Sequence, residues 1–342
     1  MKIVKPLLIA AAVAALSSAA FAAEPAAAVG PDAVTTKFLA ALNRRKGPGL
    51  EALSPAKARQ VLVDAQNGVK VDLSGIDIAN RTIEQDGISV PITIVRPQGV
   101  TGTPPVFMFF HGGGWILGDF PTHERLVRDL VVQSGAVAVF VNYTPSPEAQ
   151  YPVAINQAYA ATKWVAAHGA ELGVDSSRLA VVGNSVGGNM AAVVSLMAKD
   201  KGGPALRFQG LLWPVTDHNF NNGSYVAYQK DHFLTRPMMK WFWGAYTKSD
   251  AQRNEIYASP LRATEAQLKG LPPALIQVAQ FDVLRDEGEA YGRKLDAAGV
   301  EATTTRYDGT IHDFGLLNAL ADDAPTKAAL KAMAGELRTR LK

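Results

Sequence analysis

The sequence predicts an α/β fold in which a mostly parallel, eight-stranded sheet carries helices on both faces. From about residue 106 onwards, short apolar strand segments alternate with segments of helical periodicity, an order typical of parallel sheets with crossover helices. The 342-residue chain is 48% hydrophobic and 19% charged, which is the composition of an ordinary globular protein and gives enough length for a full core.

Two helices are predicted before the first strand. Phe38, Leu39 and Leu42 recur at helical spacing, and Ser54-Pro55 supplies an N-cap and a first-turn proline for a second helix that ends near residue 66. We therefore expect residues 23–75 to form a lead-in segment and cap helices, and the core to occupy residues 76–342.

The strands follow in order. Segments 76–83 and 88–95 are joined by the hairpin signal Gln85-Asp86-Gly87, and the continuous apolar run at 106–110 predicts a strand buried on both faces. Further strands are predicted at 137–141, 179–182, 208–213, 274–279 and 303–307. The helices between and after them are predicted at 122–134, 152–168, 189–198, 286–298 and 325–341.

One segment interrupts this alternation. Residues 216–260 are too long for a crossover and are rich in aromatic residues. We expect most of these aromatics to form the core of a helical cap insert, and a few, Phe233 among them, to line an apolar pocket above the sheet.

The N-terminus predicts a secretory signal peptide. Lys2 and Lys5 precede or flank an uncharged apolar run that ends near Ala20, and Ala20-Phe-Ala22 places small residues before a cleavage site. A membrane anchor is the weaker alternative, because about 15 apolar residues fall short of the roughly 20 needed to span a bilayer. We expect residues 1–22 to be removed and the protein to be secreted, in the periplasm, without a stable membrane anchor.

Composition excludes several classes of partner. The chain has 34 Lys and Arg against 31 Asp and Glu, and these basic residues form no continuous stripe. Its charge therefore gives no indication that the protein binds nucleic acid. It contains no cysteine, so it forms no disulfide and carries no lipidated cysteine. The expected partner is a small-molecule substrate, and the oligomeric state stays open between monomer and homodimer.

A candidate nucleophile lies at the end of the strand predicted at 179–182. Gly183-Asn-Ser-Val-Gly187 is a Gly-x-Ser-x-Gly pattern between a strand and a helix, the order that a nucleophile elbow requires. The alternative interpretation is a tight turn with a solvent-facing serine. A serine hydroxyl needs a base, a carboxylate that orients the base, and donors for an oxyanion.

Candidates for the other two groups follow in the required order. His312 lies in a loop after the last predicted strand, whereas His218 and His232 lie inside the insert. Asp282 lies at the end of the strand predicted from residue 274. Asp286 is better explained as an N-cap or first-turn acidic residue of the next helix. We therefore expect Ser185, Asp282 and His312 to form a catalytic triad.

A glycine-rich loop follows the buried strand at 106–110. In His111-Gly-Gly-Gly-Trp115, the consecutive glycines allow backbone N–H groups to approach a ligand closely. We expect oxyanion donors from this loop and from the backbone after Ser185, and we expect Trp115 and Asn184 to contribute to substrate binding together with Phe233.

These motifs together resemble the hormone-sensitive-lipase-like bacterial carboxylesterases of the α/β-hydrolase fold. The resemblance covers most of the chain after about residue 32, and it implies an oxyanion hole formed by the amides of Gly113, Gly114 and Val186, with a cap made from the N-terminal helices and the insert. It rests on 111–115, Tyr143-Thr-Pro-Ser-Pro-Glu148, 183–188, Asp282-Val-Leu-Arg-Asp286, Gly299-Val300 and Ile311-His-Asp-Phe314.

The chain departs from the family pattern beside the site. Asn184 stands where the family usually has an acidic residue, Val186 stands where it has alanine, and Asp313 replaces the common glycine after the histidine. Tyr143-Thr-Pro-Ser-Pro147 also stands where the family usually has Tyr-Arg-Leu-Ala-Pro. We expect Val186 to narrow the pocket and the four departures to affect substrate preference more than mechanism.

The sequence thus predicts a serine carboxylesterase that hydrolyses short-chain acyl or small aryl esters through an acyl-enzyme, without a metal or cofactor. Hydrolysis of amides, formamides or lactones on the same triad is the alternative. A non-catalytic ligand-binding protein on the same scaffold is a further one, since fold does not fix function.

Overall fold

The computed structural model describes residues 30–44 and 46–342, and the predicted signal peptide lies outside these residues. Within them, eight strands form one sheet in the order β1-β2-β4-β3-β5-β6-β7-β8. The strands are β1 (Ile76–Gln85), β2 (Ile88–Pro97), β3 (Pro105–Phe110), β4 (Val137–Val141), β5 (Asp175–Asn184), β6 (Phe208–Leu212), β7 (Ala274–Phe281) and β8 (Ala302–Ile311).

Only the β1–β2 and β2–β4 pairs are antiparallel, and all other neighbours are parallel. The predicted fold class, a mostly parallel α/β sheet, is confirmed. The β1–β2 hairpin closes through two residues, because Gln85 pairs with Ile88. Asp86 and Gly87 both have positive φ, 55° and 76°, as the favoured type I′ hairpin turn requires.

Helices cover both faces of the sheet and create two hydrophobic layers. Apolar side chains of α1 (Ala33–Asn43), α3 (Phe120–Ser134) and α11 (Ala324–Arg340) pack on one face. Those of α4 (Val153–His168), α5 (Val186–Asp200) and α10 (Arg285–Ala297) pack on the other. The β3 residues Phe107 and Phe109 face the first layer, and Val106, Met108 and Phe110 face the second, which explains the uninterrupted apolar run in this strand.

Two strands, β5 and β8, extend well beyond their predicted bounds, whereas the other strands match theirs to within two residues at either end. β5 begins at Asp175, because an irregular pairing with Pro105 extends it before the apolar run. β8 continues to Ile311 after an irregularity in its pairing with β7. Residues Asp308-Gly-Thr310 are mostly polar, so no apolar pattern predicts this extension from the sequence. His312 directly follows the end of the extended strand.

The cap consists of the two N-terminal helices and the insert. Asp32 and Ser54 cap α1 and α2 (Pro55–Asn67) through their side chains, and Pro55 occupies the first turn of α2, as predicted. Between β6 and β7 lie four helices, α6 (Gly223–Ala227), α7 (Arg236–Tyr246), α8 (Asp250–Asn254) and α9 (Glu265–Leu268). None of the helices in the described part of the chain is long and apolar enough to cross a membrane.

Candidate active site

Ser185 occupies a strained turn between β5 and α5. Its φ of 55° and ψ of −121° lie in a region that L-residues rarely adopt, and such strain is commonly found where structure serves function. Both flanking glycines are required: a Cβ at Gly183 would overlap the carbonyl of Gly187, and a Cβ at Gly187 would overlap the carbonyl of Phe110. The serine is therefore held at the carboxyl end of the sheet by its neighbours.

The three residues predicted as a triad come together at this point. His312 Nδ1 lies 2.7 Å from Asp282 Oδ2, and its Nε2 lies 3.0 Å from Ser185 Oγ. Asp282 is fixed by the backbone N–H of Leu284, which donates to its other oxygen at 2.9 Å. All three side chains are buried, and the chain of contacts has the geometry that proton transfer from a serine hydroxyl requires.

The electrostatics of His312 favour its role as a base. Burial acts to lower the pKa of His312, but the carboxylates of Asp282 and Asp313 outweigh it, so this pKa is raised above its ordinary value. Asp282 accepts the hydrogen bond from Nδ1–H, which leaves Nε2 free to accept the proton of Ser185 Oγ–H.

The glycine loop lies directly beside the serine. Gly113 and Gly114 both line the same cavity as Ser185, and both have positive φ, 101° and 63°. In the described part of the chain neither backbone N–H has a protein acceptor. Gly114 is buried, where a donor without a partner is uncommon, and Gly113 is half-buried. Both N–H groups are available to a ligand oxygen.

His111 supports this loop rather than the chemistry. Its ring is buried and stacks on Tyr143 at a centroid distance of 4.1 Å, and its Nδ1 lies 2.8 Å from the carbonyl oxygen of Gly112. Burial lowers the pKa of His111 to about 4, so the ring is neutral at physiological pH.

A cavity of about 310 Å³ opens onto Ser185 and His312. Its wall is mainly apolar and comes from both parts of the cap, with Phe38, Leu42, Val61 and Leu62 from α1 and α2 and Phe233, Leu234, Met238 and Phe242 from the insert. Phe233, predicted to bind substrate, is part of this wall. The volume lies at the lower end of the range for small-molecule sites, roughly 300–1,000 Å³.

Three other residues singled out in the sequence do not line the described cavity. Trp115 is buried and stacks on Tyr246 at 3.9 Å. Asn184 is buried behind Ser185, where its Oδ1 accepts a hydrogen bond from Gly112 N–H at 2.9 Å. The side chain of Val186 is fully buried in the core, so the expected narrowing of the pocket by Val186 does not occur.

The loop that carries His312 is anchored by residues that sequence reasoning missed. Arg125 donates to the carbonyls of Gly315 at 2.6 Å and Leu316 at 2.7 Å. Gln66 on α2 also donates to Leu316, at 3.0 Å, and its Oε1 accepts from Asn318 N–H. A single arginine or glutamine within an amphipathic helix gives no sequence signal for such a contact.

A second anchor joins the cap to the glycine loop. Arg59 on α2 donates from Nε to the carbonyl of Ile116 at 2.8 Å and from Nη2 to the carbonyl of Ser146 at 3.1 Å. Its guanidinium also forms a bidentate pair with Glu148. The cavity wall supplied by α2 is therefore tied to the loop beside the serine.

The sheet order and its covering helices define the fold of an α/β hydrolase. A family model described as an alpha/beta hydrolase fold matches residues 107–316, which is more than half of the chain. The chain therefore belongs to this family.

Relatives and solved structures narrow the class. The chain is 37% identical over 266 residues to the carboxylesterase NlhH of Mycobacterium tuberculosis, with 76% of this chain and 83% of that protein covered. It is 31% identical over 245 residues to the ethyl acetate hydrolase of Pseudomonas putida, covering 70% and 76%. A thermostable esterase from Pseudomonas putida ECU1011 superposes with a TM-score of 0.91 at 63% identity, covering 92% of this chain and 98% of that one.

The predicted membership in the hormone-sensitive-lipase-like carboxylesterases is confirmed by these matches. The predicted class of enzyme, a carboxylic ester hydrolase, agrees with the activities for which these relatives are named.

Proposed function

We propose that this protein is a serine carboxylesterase that hydrolyses short-chain acyl or small aryl esters. The continuous contact Asp282–His312–Ser185, at 2.7 Å and 3.0 Å, is the observation that carries this proposal. The esterase activity named for its relatives supports the reaction class.

In the proposed first half-reaction, Ser185 Oγ attacks the ester carbonyl carbon while His312 Nε2 takes its proton. The carbonyl oxygen becomes an oxyanion, which the amides of Gly113, Gly114 and Val186 stabilise by hydrogen bonds. His312 then protonates the alcohol oxygen as the C–O bond breaks. The alcohol leaves, and the acyl group stays on Ser185.

The second half-reaction repeats these steps with water. His312 removes a proton from water, whose oxygen attacks the acyl carbon, and the same amides stabilise the second tetrahedral intermediate. Collapse of this intermediate returns the proton from His312 to Ser185 Oγ and releases the carboxylic acid. Asp282 holds the imidazole ring in position and stabilises its charged form in both halves. This chemistry requires no metal or cofactor.

Cavity size supports the preference for small esters. About 310 Å³ with an apolar, partly aromatic wall suits an acetyl or butyryl group joined to a small alcohol or phenol. We expect kcat/KM for a series of 4-nitrophenyl esters to be highest for acyl chains of two to four carbons. Equal or higher values for chains of twelve carbons would contradict the proposed size limit.

The nucleophile is tested by substitution. Ser185→Ala should lower kcat for phenyl acetate by at least ~10³-fold and leave the circular dichroism spectrum and melting temperature unchanged. Ser195→Ala is the matched control, because Ser195 is a buried serine on α5, the helix that follows Ser185, and its hydroxyl donates to the carbonyl of Ala191. Retained activity in Ser185→Ala would contradict the assignment.

Ester hydrolysis is distinguished from its alternatives by matched substrates. Phenyl acetate, acetanilide, formanilide and a small lactone differ in the bond that is cleaved and are similar in size. We expect the ester to have the highest kcat/KM. A higher value for either amide or for the lactone would assign the site to that reaction instead.

We also propose that the enzyme acts after export, in the periplasm. Support comes from the signal-type segment at residues 1–22, with its basic start, apolar run and Ala20-Phe-Ala22 cleavage motif. Expression in a Gram-negative host followed by fractionation should recover enzyme in the periplasm with a new N-terminus near Ala23. An intact N-terminus in the cytoplasmic fraction would contradict export.

A further inference from the structure

The backbone of Ser185 is held on both sides by the segment that ends β6 and leads into the cap insert. Its N–H donates to the carbonyl of Leu212 at 2.9 Å, and its carbonyl accepts from Val215 N–H at 3.1 Å. Because Ser185 has a strained φ of 55°, its conformation persists only where the surrounding structure imposes it. Leu212 and Val215 supply part of that restraint.

Asn189 holds Val215 from the other side. It lies on α5, one turn after Ser185, and its side-chain amide donates to the carbonyls of Val215 at 3.0 Å and Ala258 at 2.8 Å. Val215 therefore connects Asn189, through its own carbonyl, to the carbonyl of Ser185, through its N–H.

The side chain of Asn189 is used as a double donor. A primary amide carries two N–H donors, and the two carbonyls that it binds here belong to the two ends of the insert. All three residues are fully buried. The oxygen Oδ1 of Asn189 has no partner in the described part of the chain, which is uncommon for a buried acceptor. The two donated bonds thus account for this amide, and its oxygen does not.

The segment that Asn189 binds is also packed closely against the start of α5. A Cβ at Gly188 would lie 2.9 Å from Cβ of Pro214, so no gap separates the two. Because protein interiors are close-packed and transmit strain, a displacement of Val215 is passed on to the turn at Ser185.

Other contacts keep the insert attached to the core independently of Asn189. Glu287 on α10 accepts from Thr216 N–H at 2.7 Å, and Leu261 N–H donates to the carbonyl of Thr216 at 2.9 Å. Neither bond involves Val215. A variant at position 189 therefore loses the hold on Val215 and retains the docking of the insert.

We propose that Asn189 is a positioning residue for the nucleophile. By binding the carbonyl of Val215, it keeps the N–H of that residue on the carbonyl of Ser185. Ser185 Oγ is thereby held at the distance from His312 that proton transfer requires. This inference rests on the proposed esterase function and adds a residue to the machinery of the same site.

The proposal assigns the effect of Asn189 to kcat. A displacement of about 1 Å at the reacting atoms costs on the order of 10²-fold in rate, and both half-reactions depend on the position of Ser185 Oγ. Asn189 does not line the described cavity, so the wall that binds the substrate is unaltered.

Asn189→Ala tests the proposal by removing both donated bonds. With phenyl acetate, well below the melting temperature, we expect kcat and kcat/KM to fall by the same factor, at least about 10-fold. KM should therefore stay close to that of the unmodified protein. Asn189→Ser, which keeps one donor, should show a smaller fall in kcat, and it replaces the alanine variant if that variant does not fold.

Gln209→Ala is the matched control. Gln209 is also fully buried, its side-chain amide donates to the carbonyl of Pro272 at 2.9 Å, and its own oxygen has no partner among the described residues. It lies near the start of β6, at the opposite end of the strand from Ser185. The melting temperature should fall, whereas kcat should stay within a few-fold of the unmodified protein.

Three results would overturn the proposal. They are an unchanged kcat in the folded Asn189 variant, a rise in KM without a fall in kcat, and a fall in kcat that is as large in Gln209→Ala. Absence of phenyl acetate hydrolysis by the unmodified protein is a different result, since it would contradict the proposed function itself and the positioning role with it.

Discussion

His312 Nδ1 and Asp282 Oδ2 lie 2.7 Å apart, and both side chains are buried. The carboxylate fixes the tautomer of the ring, so that Nε2 is the nitrogen that can accept a proton. Asp282→Asn keeps the shape of the side chain but can donate where it must accept. We expect kcat for phenyl acetate to fall by about 10⁴-fold with little change in the melting temperature.

Asp286→Asn is the control for that substitution. Asp286 lies in the first turn of α10, where its oxygens accept from Ser224 N–H and Arg285, and it does not touch His312. Activity should stay within a few-fold of the unmodified protein. A loss of activity in Asp286→Asn as large as in Asp282→Asn would contradict the assignment of Asp282 as the carboxylate that orients His312.

As the pH falls, activity should be lost at a midpoint above the pKa of an ordinary histidine. Burial opposes protonation of His312, but Asp282 and Asp313 outweigh it and raise its pKa. A protonated imidazole cannot take the proton of Ser185, so kcat/KM is retained above this pKa and lost as the pH falls through it. We expect a midpoint above about 6.5, measured with phenyl acetate between pH 4 and 9.

Asp313→Asn should move that midpoint to lower pH, because it removes one of the two carboxylates that raise the pKa. Activity that is flat across this range, or a midpoint that moves to higher pH in the variant, would contradict the assignment of His312 as the base.

The glycine loop tolerates no side chain at position 114. A Cβ there would overlap the ring of Phe242, and the φ of 63° is unfavourable for alanine. We expect Gly114→Ala to displace the donor amide and lower kcat by about 10²–10³-fold, as loss of an oxyanion-hole donor does. Gly244→Ala on α7 is the control, since a Cβ there meets no atom within 4 Å. Equal activity of the two variants would contradict the role of this amide.

Arg59 is expected to stabilise the cap as well as the loop. Its pair with Glu148 is partly exposed and contributes little alone, but its two bonds to carbonyl oxygens add about 0.5–1.5 kcal/mol each. Arg59→Met should lower the free energy of unfolding by about 1–3 kcal/mol and raise KM more than it lowers kcat.

Arg81→Met tests whether that effect is local. Arg81 pairs with Glu171 at 2.6 Å on the surface and touches neither the cap nor the cavity. In urea denaturation, the free energy of unfolding should fall less in Arg81→Met than in Arg59→Met. The KM of Arg81→Met should equal that of the unmodified protein. A larger change in KM than that of Arg59→Met would contradict the anchoring role of Arg59.

The residues of the site that directly follow a strand could be predicted from the sequence. Ser185, Asp282 and His312 each follow a strand, and parallel strands bring their carboxyl ends to one edge. Apolar periodicity located these strands, so the meeting of the three residues at one edge could be anticipated from the order of segments along the chain. The polar end of β8, which leads directly to His312, could not.

Contacts that depend on side-chain direction were not predictable in this way. Trp115 follows the glycine loop and was expected to face substrate, but its φ of 59° turns it into the stack with Tyr246. Asp313 was recognised only as a departure from the family, because its partner Trp213 is 100 residues away in sequence. Tertiary packing, which no local pattern encodes, decides both positions.

Covalent labelling tests whether Ser185 is the residue that forms the acyl-enzyme. The protein is treated with a fluorophosphonate, digested and analysed by peptide mass spectrometry, with Ser185→Ala treated in parallel. We predict one adduct per chain, on Ser185, complete loss of phenyl acetate hydrolysis in proportion to labelling, and no adduct in Ser185→Ala. An adduct on another residue, or full activity in the fully labelled protein, would exclude Ser185 as the nucleophile.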